Sequence, residues 1–234
     1  MAGRSRNAPP ARMRLRSSDQ FRWMRLPAEL RLMILDAITP QTGSDWASAA
    51  AVCKEWQHAI ERRRFRRLRL QVPGLDRLER LGARRTGLVR HLSLDIELPT
   101  YTCRLCRKPE SESWRQANSR IISKALWKLF RILSRWKPEG GLTLELNAFS
   151  PSDSDHWFKS DRFVSDPEGG RGNDGARHDE RHGWIEGRRV ELPPPSAILR
   201  LFEAILLHFP QELPRVDVVT CFVVRRQLRP IGPR

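Results

Sequence analysis

Apolar positions along this chain keep two different periods. Between Leu26 and Ile60 they recur at helical spacing. Leu30, Met33, Ile34, Ala37 and Ile38 follow the i, i+3, i+4, i+7, i+8 pattern of one buried face, and Leu32 and Leu35 fall off it. Pro27 suits the first turn of that helix, and Glu29 lies near the positive end of its dipole. Thr39-Pro40 and Gly43 end it. Ser44 or Asp45 can cap a second, short helix over "WASAAAV", and "CKEWQHAIERR" predicts a third that turns Trp56, Ala59 and Ile60 to a core.

After residue 65 the period drops to two. Leu68, Leu70 and Val72 alternate like a strand, as do Leu92, Leu94, Ile96 and Leu98, then Leu142, Leu144 and Leu146, then Val216 and Val218. Helices are expected between them, over "GLDRLERLG", from about residue 114 to 136, and from about 196 to 209. Strands joined through helical crossovers predict a parallel sheet. The step from Leu68 to Leu92 is 24 residues, inside the ~20–29-residue period of leucine-rich repeats, but no later unit carries a clean consensus. The fold class expected is mixed, α+β or α/β: three N-terminal helices followed by an irregular βα, leucine-rich-repeat-like open sheet. The boundaries expected are a disordered basic tail over 1–22, a helical module over 23–64, a βα region over 65–149, a disordered insertion rich in Asp, Gly, His and Pro over 150–195, and a final helix and strand over 196–234.

Charge changes the picture of partners. Lys and Arg outnumber Asp and Glu by 43 to 27, a formal net charge of +16. That balance favours acidic partners: nucleic acid, an acidic protein face or an anionic membrane surface. The longest apolar runs are too short to span a bilayer. No apolar segment follows the basic start, and Asn7-Ala8-Pro9-Pro10 interrupts any presequence helix, so the Arg-rich beginning reads as a tail. Four scattered cysteines form no disulfide framework and suit a reducing compartment, cytoplasmic or nuclear.

Candidate chemistry is sparse. Cys103 and Cys106 form half of a zinc site, but His91, His156, Cys53 and Cys221 supply no second pair at workable spacing, so the pair reads as structural thiols. Asp153, Asp155, His156, His178 and His182 match no hard-cation loop and read as part of a solvated insertion. No phosphate loop or nucleophile elbow occurs, and the expectation is no catalytic residue, no metal and no cofactor. The predicted helix near residues 118–136 buries Ile121, Ile122, Ala125, Leu126, Leu129, Ile132, Leu133 and Trp136. Its other side carries Arg120, Lys124, Lys128, Arg131 and Arg135, a basic ridge that is either a solvated face or a contact for an acidic partner. Six arginines lie between residues 62 and 69, but only Phe65 interleaves as an aromatic, too few for a stacking platform.

"LPAELRLMILDAI" followed by "DWASAAAVCKEWQHAI" resembles an F-box. The residues that carry the resemblance are Leu26, Pro27, Glu29, Leu30, Ile34, Leu35, Val52, Cys53, Lys54 and Trp56, and Trp46 stands where the family carries Leu. The stretch covers about residues 24–62. The Arg-rich chain with ragged βα units is similar, more loosely, to F-box families of filamentous fungi. The resemblance implies a non-enzymatic substrate-recognition subunit of an SCF-type ubiquitin ligase, acting in ubiquitin-dependent degradation. Its F-box would dock a Skp-type adaptor, and through it a cullin ligase core, by Leu26, Pro27, Leu30, Ile34, Leu35, Val52 and Trp56. On this reading Leu26, Pro27, Leu32 and Leu35 lie under the adaptor, and the C-terminal region holds an unknown protein substrate, acidic where it meets Arg120, Lys124, Lys128, Arg131 and Arg135. The alternatives are a basic nucleic-acid-binding protein and an F-box protein acting outside a ligase. The last strand is expected to leave an edge open to association through residues 216–224, in a shortened member of the family.

Overall fold

The computed structural model describes residues 23–38, 46–137, 140–153, 155–158, 179–186, 188–202, 204–225 and 231–232. The expected basic tail over 1–22 lies outside them. The chain divides into two compact units, Met1–Ile60 and Glu61–Arg234.

In the first unit a 3-10 turn over Trp23–Arg25 leads into α1 (Ala28–Ile38), followed by α2 (Trp46–Ala50) and the start of α3 (Lys54–Arg66). The Glu55 carboxylate on α3 accepts hydrogen bonds from Trp23 Nε1 at 2.6 Å and from the Arg31 guanidinium at 2.8 Å. The Trp23 ring meets Trp56 edge to face, 5.3 Å between centroids. These contacts set the rotation of α1. Arg31 points toward α3, so the positions three and four residues on turn inward with it. Leu35 is buried and Ile34 half-buried, whereas Leu30, Met33 and Ala37 are exposed. The helical phase read from apolar spacing alone, with Leu30 and Met33 inside and Leu35 outside, is therefore corrected.

The second unit is built on a parallel sheet of β1 (Arg67–Gln71), β2 (His91–Glu97), β3 (Leu142–Phe149) and β7 (Val219–Val224), in that order. Between them come α4 (Leu75–Glu79), α5 (Ala83–Thr86), α6 (Glu112–Leu133), a short antiparallel pair β4 (Trp184–Ile185) and β5 (Arg188–Arg189), α7 (Pro195–Phe202) and β6 (Ile205–Leu206). β6 pairs in parallel with β8 (Ile231–Gly232). Ser111 caps α6, its hydroxyl accepting from Trp114 N at 3.3 Å, and Glu112 adds a negative charge to the first turn. The helix of 22 residues is about 33 Å long. Its Ile122, Ala125, Leu126, Leu129, Ile132 and Leu133 are buried as expected from spacing, with Ile121 and Trp136 partly buried against them.

This stripe packs with Leu92, Leu94, Ile96, Leu142, Leu144, Leu146 and Ala148 of the sheet into the main core. The alternate residues of β2 and β3 are also buried, and they are polar: Ser93, Asp95, Glu145 and Asn147. Three of them bond across the strands, although Asn147 Oδ1 keeps no hydrogen-bond partner. Asp95 accepts from Arg69 at 2.6 Å and from Asn147 at 2.9 Å, and Glu145 meets His91 at 2.7 Å and accepts from Arg225 beyond β7. One face of the sheet is a hydrocarbon core and the other a polar ladder.

The parallel order agrees with the crossover argument, but no constant repeat underlies it. Paired positions Arg67↔His91, His91↔Thr143 and Thr143↔Cys221 are separated by 24, 52 and 78 residues. The mixed fold and N-terminal helices stand, without a shown leucine-rich repeat. The composition that suggested disorder over 150–195 also hid structure. Residues 150–153, 155–158, 179–186 and 188–195 are described, and Trp157, Phe158, His182 and Trp184 among them are buried. A second, smaller core joins Tyr101, Cys106, Trp157, Phe158, Ala197 and Leu201. Scattered aromatics, without any period, anchor that segment.

Candidate functional site

Within the first unit the apolar excess of α1 has a definite outer surface. Leu30, Leu32 and Met33 are 45%, 59% and 66% exposed, and Val52 before α3 is 62% exposed. Pro27 is exposed, and Leu26, Ile34 and Trp56 are half-buried. Leu35, at 4%, is spent on the unit's own packing together with Ile60. Of the seven residues expected to meet an adaptor, Pro27, Leu30 and Val52 thus offer most surface, Leu26, Ile34 and Trp56 offer part, and Leu35 offers almost none. Leu32 lies outside, as expected, and Met33, expected in the core, joins it.

A side chain such as Met33 or Leu32 left in water forgoes about 1.5–3 kcal/mol that full burial would supply. Several such residues on one short helix make a surface suited to an apolar groove. Polar contacts hold it in place: Arg31 is fixed by Glu55, and Glu55 by Trp23, so α1 cannot rotate to hide Met33 without breaking them.

The basic ridge of α6 divides into two halves. Lys128 pairs with Asp76 at 2.5 Å, and Arg131 and Arg135 reach Glu79 at 3.6 and 3.1 Å, both acids lying on α4. The positive charge beside Asp76 holds its carboxyl below the usual range, chiefly through the Lys128 hydrogen bond. Arg120 and Lys124, nearer the N-terminal end, are exposed. In the run of arginines after residue 61, Arg69 meets Asp95 at 2.6 Å; buried Glu61, just before the run, holds Arg84 at 2.5 Å and Arg85 at 3.2 Å from further along the chain.

The Cys-x-x-Cys pair has company that local spacing did not reveal. Cys103, Cys106, His156 and His182 bring one ligand atom each within 4.8 Å of one another. The two histidines stand 50 and 76 residues after Cys106, so no short motif could have flagged them. His178, read with the same insertion, lies outside the described residues.

Comparison with curated proteins and with solved structures found no match. Comparison with protein families found one: residues 23–71 match the model described as F-box-like. The matched segment contains the Leu-Pro-x-Glu opening, the outward apolar face of α1 and the Val52–Trp56 stretch. The chain therefore carries an F-box-like domain over residues 23–71.

Proposed function

We propose that this chain is the substrate-recognition subunit of an SCF-type ubiquitin ligase. Its F-box docks a Skp-type adaptor, which links it to a cullin core, and its second unit presents a protein substrate. The observation that supports the reading is the coincidence of two independent facts. The F-box-like match spans 23–71, and within it Leu30, Leu32, Met33 and Val52 remain exposed. The docking surface is an α1 face of Pro27, Leu30 and Met33 with Val52 beside the start of α3, and the half-buried Leu26, Ile34 and Trp56 support it. The chain does no chemistry itself. Tethering raises the effective concentration of substrate lysines near the ligase's catalytic partner.

The substrate contact we assign to α6 is narrower than the full ridge. Arg120 and Lys124 face solvent, whereas Lys128, Arg131 and Arg135 already answer the acids of α4. An acidic segment would meet the first two. No helix among the described residues is long and apolar enough to cross a membrane. The place of action proposed is the cytoplasm or nucleus.

Co-purification of the full chain with a Skp-type adaptor tests the central claim. Retention should persist at high salt, because apolar docking responds weakly to ionic strength, whereas phosphate binding falls steeply. Failure to retain the adaptor, alongside salt-sensitive binding to nucleic acid, would replace this reading with the nucleic-acid one.

A further inference from the structure

The four residues that converge in the second unit come from three separate segments, and their chemistry is uniform. Cys103 and Cys106 sit on one tight turn, closed by Leu105 N to Thr102 O at 2.9 Å and Cys106 N to Cys103 O at 3.3 Å. His156 lies after β3, beside the buried Trp157. His182 ends a 3-10 turn over Glu180–His182 that leads into β4. His182 Nε2 is 3.3 Å from Cys103 Sγ and 3.4 Å from Cys106 Sγ, and the two imidazole rings are 4.9 Å apart.

These distances suit a metal. With metal–sulfur and metal–nitrogen bonds of about 2.3 and 2.0–2.1 Å, a tetrahedral ion sets sulfur and nitrogen about 3.6 Å apart. The two observed separations fall within a few tenths of an ångström of that. The widest spacing among the four ligand atoms, 4.8 Å, closes with side-chain adjustments of about 1 Å.

The surroundings orient the ligands. Asp179 Oδ2 lies 2.7 Å from His182 Nδ1. A carboxylate only accepts, so Nδ1 carries the hydrogen and Nε2 turns a lone pair toward the two sulfurs. A metal-bound histidine normally makes such a contact through its other nitrogen. The cysteine turn is held from behind by Arg200 of α7, itself buried, which donates to Leu105 O at 3.0 Å and Lys108 O at 2.8 Å. Arg107 donates to Arg181 O, joining the cysteine turn to the histidine turn. On the third segment Tyr101 OH donates to Asp153 at 3.0 Å, and Tyr101 N donates to Ser152 Oγ at 3.0 Å. Gly183, directly after His182, has φ +70°, and a Cβ there would stand 2.6 Å from Glu191 O. The turn that aims His182 therefore requires glycine.

We propose that Cys103, Cys106, His156 and His182 bind one zinc ion as a closed, structural Cys2His2 site, with Asp179 orienting His182. Soft thiolates with imidazoles in a tetrahedron select zinc over hard cations. Four protein ligands leave no open position for catalysis. On binding, both thiols release their protons, so two thiolates, two neutral imidazoles and Zn²⁺ sum to zero charge, compatible with the buried Cys106 and His182. The ion ties the cysteine turn, the segment after β3 and the β4–β5 hairpin into one body. This inference does not depend on adaptor binding.

The test uses the full chain expressed with zinc supplementation and dialysed. Elemental analysis should find one zinc per chain, and exchange for cobalt(II) should give the intense visible bands of tetrahedral coordination with a thiolate charge-transfer band. Cys103→Ser should lose stoichiometric zinc and weaken the charge-transfer band, while Cys221→Ser keeps both. Asp179→Asn should weaken zinc affinity about 10–100-fold in chelator competition. Should Cys103→Ser fail to fold, the cobalt spectrum of the unaltered chain decides. A folded chain without zinc, octahedral cobalt, a Cys103–Cys106 disulfide in place of metal, or full zinc retention by Cys103→Ser with His182→Gln would each overturn the site.

Discussion

The two units solve the problem of apolar surface in opposite ways. The second buries its leucines and isoleucines on itself: Leu92, Leu94, Leu129, Leu133, Leu142 and Leu144 are fully enclosed between sheet and helix. In the first, Leu35 and Ile60 are the buried apolar side chains among the described residues, while Leu30, Leu32, Met33 and Val52 stay outside. Hydrophobic residues at helical spacing therefore carry two meanings in one chain. In α6 they are a core. In α1 they are an exposed surface, held outward by Glu55, Arg31 and Trp23.

That contrast can be broken by substitution. Leu94→Ala or Leu129→Ala should cost the second unit about 3–5 kcal/mol in denaturant unfolding, since each leaves a cavity in an enclosed core. Leu30→Ala or Met33→Ala should stay within about 0.5 kcal/mol. If both pairs cost the same, α1 is not a free surface.

Charge on that surface should act on binding alone. Leu30→Asp with Met33→Asp is expected to weaken adaptor capture by about 2 kcal/mol, roughly thirtyfold in Kd, at unchanged stability. Full retention in a titration by calorimetry would remove the docking face from α1. A subtler intervention acts on its orientation. Glu55→Gln keeps the shape but removes the charge that Trp23 and Arg31 share, and should lower the first unit's stability by about 1 kcal/mol. An unaltered thermal midpoint would mean that packing, and not this network, sets the helix phase.

The smallest effect is a pH dependence in the polar ladder. Burial alone would raise the Glu145 carboxyl, but hydrogen bonds from Arg225 and His91, with their charges, carry it below its ordinary range. A folded value below the unfolded one, about 4.3, contributes stability above that pH. The contribution is lost as pH falls through the folded value. Glu145→Gln should flatten that acid limb, measured as unfolding midpoint against pH, and a limb unchanged by the substitution would place the effect elsewhere.

Much of the second unit was legible because its period is unambiguous. Alternation at Leu92, Leu94 and Ile96 permits only one face to be apolar, and α6 repeats its stripe from Ile121 to Leu133, for about three and a half turns. The phase of α1 was not legible for the opposite reason. Residues 30, 32, 33, 34, 35 and 38 are all apolar, so two faces fit the pattern, and a tertiary contact with Glu55 chooses between them. Likewise the ridge on α6 looked uniform until Asp76 and Glu79 of α4 came alongside half of it. The Cys/His cluster was beyond local reading altogether, because its ligands meet only once Trp157 and Trp184 are buried in a segment whose polar composition suggests no core.

The unequal crossovers of the sheet have a consequence for the order of assembly. Pairing β1 with β2 closes 24 residues, and pairing β3 with β7 closes 78. Loop-closure entropy grows only logarithmically, so the longer closure costs about 1 kcal/mol more. That difference is modest at equilibrium but is met before β7 gains any compensating contact. The inner strands should therefore acquire slow amide exchange first, and β7, exposed along Phe222, Val223 and Val224, should join last. Until it does, β3 presents an open edge, and a chain still folding is the form most prone to pair with a neighbour. Pulse-labelled refolding should show β2 protected earlier than β7, and raising protein concentration during that interval should increase aggregation more than it does for the finished fold.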